Sequence, residues 1–534
     1  MLTARTTVFR PVAALTLIFW SAVLLVRPWG DFPFDDDWAY GETVRYWMSE
    51  GVLRVSSWTP LTLLAHAAWG RLFCALFGFS YGSLRFSTLV LAWFGVIAFH
   101  RSLLRLGASA PAAFAGALVL LFDPLYFRLS LSYMTDVAAL AWMLMAAHAF
   151  LIAELDEKPA WAWIGSALSG VAYLVRQTGA CVALGAAVWL IWRGRRSPRE
   201  LLRTLAGLLI ALLVHAWWLR SRGVNVVFRE YVLRDTWANL SGGWNALGHG
   251  VQRVEGAAVH LALFLSPLFL AGAIGLGALS RRRLALLAAA AATLGGAWWF
   301  HLAPVTGNIL NPFGLGVCSM PGCAFKAAGP LGAPAFWAVA GALAVAGGAV
   351  ALCSFEAPGA PVGLFASGFL AAFLLSLAGG MYFDRYFLVL LPAAIAAWAA
   401  KCRVHWLRLA PGLAFLAAWS VLGSSDSLNW NRARWEGGER LVERGIAPSE
   451  VCGGFEWNGV HNYEPMARAP GAPYLGNKPF VDGRYTAFVA FAGASRAGGI
   501  DKVGEVPYFS PLSFRIERIE LWVDGSGRRW PWRL

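Results

Sequence analysis

Three carboxylates stand side by side at Asp35-Asp36-Asp37, framed by Phe34 and by Trp38-Ala39-Tyr40. Adjacent carboxylates repel one another, so such a cluster should hold at least one proton more tightly than a lone aspartate. A carboxyl tuned in this way can serve as a general base toward a hydroxyl. The same triplet could instead cap the helix that starts near Trp38, because Asp is favoured at helix N-termini. A second group of polar residues sits at the edges of apolar runs: Arg85, Arg128, Asp136, Arg176 with Gln177, and Asp384-Arg385-Tyr386. An ionisable group at such an edge is a functional candidate by default. Taken singly, each is better explained by snorkelling or by a structural ion pair such as Asp384 with Arg385. Taken together, they supply acids and permanent cations. Arginine stays charged in any environment and grips phosphate through two parallel hydrogen bonds. An acid that activates a hydroxyl and a guanidinium that holds a departing phosphate make the chemistry of transfer from a phosphate-linked donor.

The elements that position these residues are hydrophobic. Of 534 residues 58% are hydrophobic and 14% are charged, against about 25% charged in soluble domains. Apolar stretches of about 17 to 25 residues recur, each long enough to cross about 30 Å of hydrocarbon as a helix. They fall at 11–27, 84–100, 111–127, 136–153, 161–176, 178–192, 201–219, 258–279, 284–302, 333–352, 361–380, 385–400 and 409–423. The fold class expected is therefore an α-helical polytopic membrane protein of about 13 transmembrane helices. The first stretch is followed by Arg27-Pro28-Trp29, with no small-residue cleavage site, so it reads as an uncleaved span.

The net charge of +14 does not point to nucleic acid, because the arginines gather in short links between spans, as in cytoplasmic loops. Segment 58–79 is apolar but contains His66 and Arg71, and a central Arg costs about 2.5 to 3.5 kcal/mol to insert. If this segment lies along the outer interface, the basic groups at 101–105, 193–196, 281–283 and 401–408 all join Arg5 and Arg10 on one side. If it crosses, they flip away from the N-terminus. The positive-inside rule selects the first arrangement. The N-terminus is then cytoplasmic, and the loops 28–83, 220–257 and 303–332 are external. So is the tail from 424. The expected location is the inner membrane of a bacterium. This topology also argues against reading Asp35-x-Asp37 as the D-x-D of a nucleotide-sugar transferase, since nucleotide sugars are cytoplasmic.

Two domains follow: a transmembrane domain over 1–423 with juxtamembrane helices in its first external loop, and a small external α/β domain over 424–534. In the second, 431–443 reads as an amphipathic helix, and 484–491 and 515–523 as strands. The seven cysteines form no framework; Cys318 and Cys323 could pair in an oxidising compartment or remain two thiols. Most of the 28 tryptophans read as interfacial belt residues, with Trp38 and Trp58 able to stack on a sugar or line a lipid groove.

Residues 28 to 180 resemble the GT-C superfamily of membrane glycosyltransferases, in its bacterial protein-mannosyltransferase-like and aminoarabinose-transferase-like branch. The likeness is carried by Asp35-Asp36-Asp37 after the first span, Trp58-Thr59-Pro60-Leu61, Leu76-Phe77-Gly78-Phe79 with Leu84-Arg85-Phe86, Asp123-Pro124, Thr135-Asp136 and Leu174-Val175-Arg176-Gln177-Thr178-Gly179. Asp384-Arg385-Tyr386-Phe387 with Pro392 resembles a late span of the same family. The resemblance implies inverting transfer of a sugar from a polyprenyl-phosphate donor to an acceptor lipid, glycan or protein. It implies Asp36 as the base, with Asp37 orienting the acceptor or sharing the proton and Asp35 beside them. Arg85, Arg176 or Arg385 would hold the donor phosphate, and Asp136, Gln177 and Trp58 would be secondary polar groups. No cofactor is implied, and a metal is not expected. The chain departs from the pattern where Trp58-Thr59-Pro60 replaces His-Pro-Pro and in the loop 303–332. The rival classes are a multi-pass transporter or flippase of lipid-linked saccharides, which would place charges at the bilayer midplane among repeated broken helices, and a non-catalytic scaffold.

Overall fold

The structure is a computed structural model. It describes residues 2–222, 234–271, 308–311, 314–323, 332–354, 359–378, 382–401, 403–469, 475, 480, 483–493, 500–526 and 528–531. The expected span 284–302, the triplet at 281–283 and half of the loop 303–332 lie outside the described residues.

The first half is helical from end to end: α1 (Leu2–Val26), α2 (Asp37–Glu50), α3 (Leu64–Phe77), α4 (Tyr81–Arg105), α5 (Ala110–Leu121), α6 (Pro124–Ser130), α7 (Thr135–Leu155), α8 (Trp161–Val175), α9 (Ala180–Trp192) and α10 (Pro198–Arg222). There follow α11 (Asp235–Ser241), α12 (Trp244–Phe264), α13 (Ser266–Ala271), α14 (Gly332–Ser354), α15 (Ala360–Leu377), α16 (Leu391–Ala399) and α17 (Trp406–Glu443). Local chemistry sets several of the ends. The Ser80 and Ser109 side chains accept from the Ser83 and Ala112 backbone N–H groups, which closes the first turns of α4 and α5. Between α5 and α6 the chain bends by 62°. Pro124 disfavours helix at Asp123, and the Asp123 carboxylate then caps α6 by accepting from Tyr126 N–H at 2.9 Å.

Among the described residues, five helices are long and apolar enough to cross a membrane: α4, α7, α10, α15 and α17. The bent pair α5–α6 makes a sixth, and shorter apolar helices occupy 10–26, 64–77, 161–175, 177–192 and 338–350. The chain is a multi-pass helical membrane protein, and among the described residues fewer than thirteen full spans are present. The expected span 385–400 is one reason: it divides into a 3-10 stretch, Asp384–Leu390, and the nine-residue α16. The segment 58–79 forms α3, 14 residues long. At 1.5 Å per residue that is about 21 Å, short of the hydrocarbon thickness. Helix α7 lies at the centre, packed by α4 and α8, with Leu140, Met143, Leu144 and Leu151 buried.

Helix α17 runs for 38 residues without a break at 423–424 and carries the C-terminal part on its distal half. There β3 (Val451–Cys452), β5 (Ala487–Phe491), β7 (Arg515–Val523) and β6 (Asp501–Ser510) form one sheet in the order β3-β5-β7-β6. Two short antiparallel pairs lie apart from it, β1 (Leu310–Asn311) with β2 (Gly314–Leu315) and β4 (Arg484–Tyr485) with β8 (Trp530–Pro531). The pair β3–β5 is parallel, and β5–β7 and β6–β7 are antiparallel. One sheet face buries Val489, Val506, Ile519 and Leu521 with Ala433 and Leu441 of α17. Gly437 permits the approach, since a Cβ there would stand 2.7 Å from the Leu521 side chain.

Candidate active site

The three aspartates face three ways. Asp35 adopts a left-handed φ of 52°, Asp36 is the residue that precedes α2, and Asp37 is its first residue. Asp35 and Asp37 are 3% and 1% exposed, whereas the Asp36 side chain is 24% exposed. Asp37 binds backbone with both oxygens: Oδ1 accepts from Phe34 N–H and Oδ2 from Tyr133 N–H at 2.9 Å. Burial pushes its proton affinity well above the usual carboxylate range. Asp35 is buried against Arg128 and Glu456, and burial raises it to about 7. The Asp36 carboxylate makes no helix-capping bond. Its Oδ1 accepts from Trp58 Nε1 at 2.9 Å, and its Oδ2 stands 3.5 Å from the Arg385 guanidinium.

Three elements meet around the Arg385 guanidinium. The start of α7 supplies Asp136, the extended residue after α8 supplies Arg176, and the 3-10 stretch supplies Arg385 and Tyr386. Arg176 donates to Asp136 Oδ1 at 2.6 Å and to Thr135 Oγ1 at 3.4 Å. Arg385 Nε lies 3.8 Å from the same Asp136 oxygen. The Arg385 guanidinium donates to Asn308 Oδ1 at 2.7 Å. Both of its carboxylate contacts, to Asp36 and Asp136, are longer than a hydrogen bond. The Tyr386 ring lies under Arg176, 4.9 Å from its guanidinium carbon to the ring centre. Asp136, Arg176, Arg385 and Tyr386 line a small pocket of about 30 Å³. The rest of its lining is Ala139, Leu140 and Met143 of α7, Thr178, Ala372 and Ser376 of α15, and Leu388 and Val389.

Other residues in the sequence-based set do different work. Arg85 is buried, and its guanidinium donates to the carbonyls of Pro28, Gly30 and Phe32. It clasps the loop that carries the triplet and does not line the cavity. Gln177 donates to Pro60 O at 3.0 Å and fixes the segment that presents Trp58. Asp384 is not the partner of the Arg385 guanidinium. Its carboxylate accepts from the backbone N–H groups of Ile309 at 2.9 Å, Leu310 at 2.6 Å and Arg385 at 2.7 Å. Among the described residues no three His, Cys, Asp or Glu side chains converge as a metal would require.

Several residues at the site were not anticipated. Tyr40 lies buried close to Asp36, Arg385, Asp136 and Arg176. The tail also contributes. Glu456 accepts from Asp35 N–H at 3.0 Å and pairs with Arg434 at 2.6 Å. Phe455, Tyr463 and Phe480 pack around Trp58 with ring centres 5.2 to 5.7 Å away. Gly459 lets this part close on α2, since a Cβ would stand 2.5 Å from the Trp38 ring. The run Gly453-Gly454-Phe455-Glu456-Trp457, an acid between aromatics after two glycines, was the available signal. Cys318 and Cys323 are disulfide-bonded, with Cα atoms 5.9 Å apart.

A cluster of paired acids and guanidinium groups thus lines a small pocket within a multi-pass helical bundle. Residues 64–219 match the family described as dolichyl-phosphate-mannose-protein mannosyltransferase. This match overlaps the stretch 28 to 180 that carries the resemblance to membrane glycosyltransferases. Among solved structures it is similar to ArnT from Cupriavidus metallidurans bound to undecaprenyl phosphate, at 14% identity and a TM-score of 0.41, over 97% of this chain and 98% of that one. It is also similar to the Archaeoglobus fulgidus oligosaccharyltransferase tethered with an acceptor peptide, at 13% identity and a TM-score of 0.38, over 82% of this chain and 58% of that one. No curated protein matches the chain.

Proposed function

We propose that the protein transfers a sugar, with inversion, from a polyprenyl-phosphate donor to an acceptor hydroxyl on the external face of a bacterial inner membrane. The observation that supports this is the placement of Asp36 Oδ2 3.5 Å from Arg385, which lines a small pocket together with Arg176. The polyprenyl tail lies along α7 and α15, and the phosphate meets Arg176 and Arg385. Asp36 takes the proton from the acceptor hydroxyl, and the hydroxyl oxygen attacks the anomeric carbon. The bond from that carbon to the phosphate oxygen breaks, and its electron pair goes to the phosphate. The two guanidinium groups stabilise the added charge. No acid is needed for a phosphate leaving group. Asp37 and Arg85 hold the backbone on either side of Asp36, and Trp58 Nε1 orients its carboxylate.

The external placement rests on the charge of the links between spans and on the disulfide Cys318–Cys323, which persists in an oxidising compartment. Purified full-length protein in lipid nanodiscs, given lipid-linked sugars extracted from a strain lacking it, should release free polyprenyl phosphate as sugar reaches the acceptor. Vectorial movement of an intact lipid-linked sugar, with no release of polyprenyl phosphate, would assign the protein to the transporters instead.

A further inference from the structure

The C-terminal sheet ends in a β6–β7 hairpin whose outer face changes character along its length. On that face the cross-strand pairs are Glu505 with Glu520, Pro507 with Arg518, and Phe509 with Ile516. The far end is charged, with Lys502 bridging Glu505 and Glu520. The tip is apolar: Phe509, Phe514 and Ile516 are 50%, 65% and 72% exposed. Phe514 sits in the turn at a left-handed φ of 53°, a conformation that favours glycine or asparagine. A large apolar side chain held outward there is costly in water.

The hairpin runs down α17 toward the membrane. Near its far end Arg440 donates to Glu505 O at 3.3 Å. Closer to the tip Asn429 donates to Phe509 O at 2.9 Å, and Ser510 Oγ bonds the Asp426 carboxylate. Helix α17 starts at Trp406 and is one of the membrane-crossing candidates. A rise of 1.5 Å per residue carries it about 30 Å by Asp426, the thickness of the hydrocarbon core. The tip is therefore fastened where α17 leaves the bilayer. The end of α1 marks the same level, since Arg432 donates to the carbonyls of Arg27 and Trp29 at 3.1 and 2.8 Å. Arg515 flanks the apolar tip as a cation suited to lipid phosphates, while Arg518, further from it, pairs with Glu505 at 3.1 Å.

We infer that the β6–β7 tip, Phe509, Phe514 and Ile516, inserts into the adjacent leaflet of the membrane the chain spans and anchors the C-terminal sheet to it. The occupant is lipid, because the patch faces the bilayer edge, is apolar at its end and cationic just above. The test uses the full chain in nanodiscs of phosphatidylethanolamine and phosphatidylglycerol, in a background shown to take up no label. Phe514→Cys and, separately, Ile516→Cys carry a nitroxide. The control is Asp501→Cys, nine strand positions from the tip and roughly 30 Å away. Collision with oxygen should exceed collision with a water-soluble nickel complex severalfold at 514 and 516, and the order should reverse at 501. Equal nickel access at the tip and at 501 would overturn the inference. Protection of the tip from both reagents would overturn it too, as that marks a protein partner or a second copy.

Discussion

Removing the Glu456 carboxylate tests whether the tail holds the catalytic loop. Glu456 and Arg434 are 2% and 1% exposed and 2.6 Å apart, and Glu456 also receives Asp35 N–H at 3.0 Å. Glu456→Ala strands a buried guanidinium, which costs about 3 to 5 kcal/mol. It also orphans a buried backbone donor, worth about 1 to 3 kcal/mol. The two losses share one carboxylate and need not add. Glu456→Gln has a single acceptor oxygen for two donors, so its loss should fall between. The exposed pair Glu436–Arg440, each about 45% exposed at 2.6 Å, sets the baseline, since such pairs contribute about 1 kcal/mol or less. Equilibrium unfolding of the full chain in mixed detergent micelles, read beside sugar transfer, measures both effects. Transfer should decline in the order wild type, Glu456→Gln, Glu456→Ala, because Asp36 follows Asp35 directly. If Glu456→Ala is as stable and as active as Glu436→Ala, the tail does not position the loop.

Arg176→Ala and Arg385→Ala should each weaken binding of undecaprenyl phosphate about 10- to 100-fold, from the loss of one charge-assisted hydrogen bond of about 1.5 to 3 kcal/mol; titration of the lipid into purified protein checks this. Arg85→Met should instead lower the unfolding midpoint, by the equivalent of about 3 kcal/mol or more, as three carbonyls lose their donor; detergent unfolding separates the two behaviours. Asp35, raised to about 7 by burial from about 3.9 in the unfolded chain, keeps its proton when folded over the interval between those values. The folded state then binds more protons, so its contribution to stability is full below about pH 4 and falls as pH rises to about 7, by up to about 4 kcal/mol. Asp35→Asn, which tolerates the left-handed φ, should flatten that fall in unfolding measured from pH 4 to 8.

Much of the architecture was legible because the bilayer imposes it. Apolar runs, basic links and the position of the aspartate triplet after the first span are properties of order along the chain. The strands expected at 484–491 and 515–523 are present as β4, β5 and β7. What each aspartate faces was not legible, because it turns on one left-handed residue, Asp35, and on where α2 begins. The partners of long cations were hidden for a related reason. Arg85, Arg176 and Arg385 look alike at the edges of their helices, yet Arg85 reaches back 53 to 57 positions to a backbone. Arg385, by contrast, reaches across to Asp36. Glu456 meets Asp35 across 421 positions, a contact that no local pattern encodes.

The central claim is that Asp36 takes the acceptor proton, and the decisive measurement is single-turnover transfer by Asp36→Asn in nanodiscs, with donor binding measured on the same preparation. Loss of the base should slow transfer roughly 100- to 10,000-fold while undecaprenyl phosphate binds as tightly as before, since Arg176 and Arg385 remain. Transfer within a few-fold of the unaltered protein would contradict it.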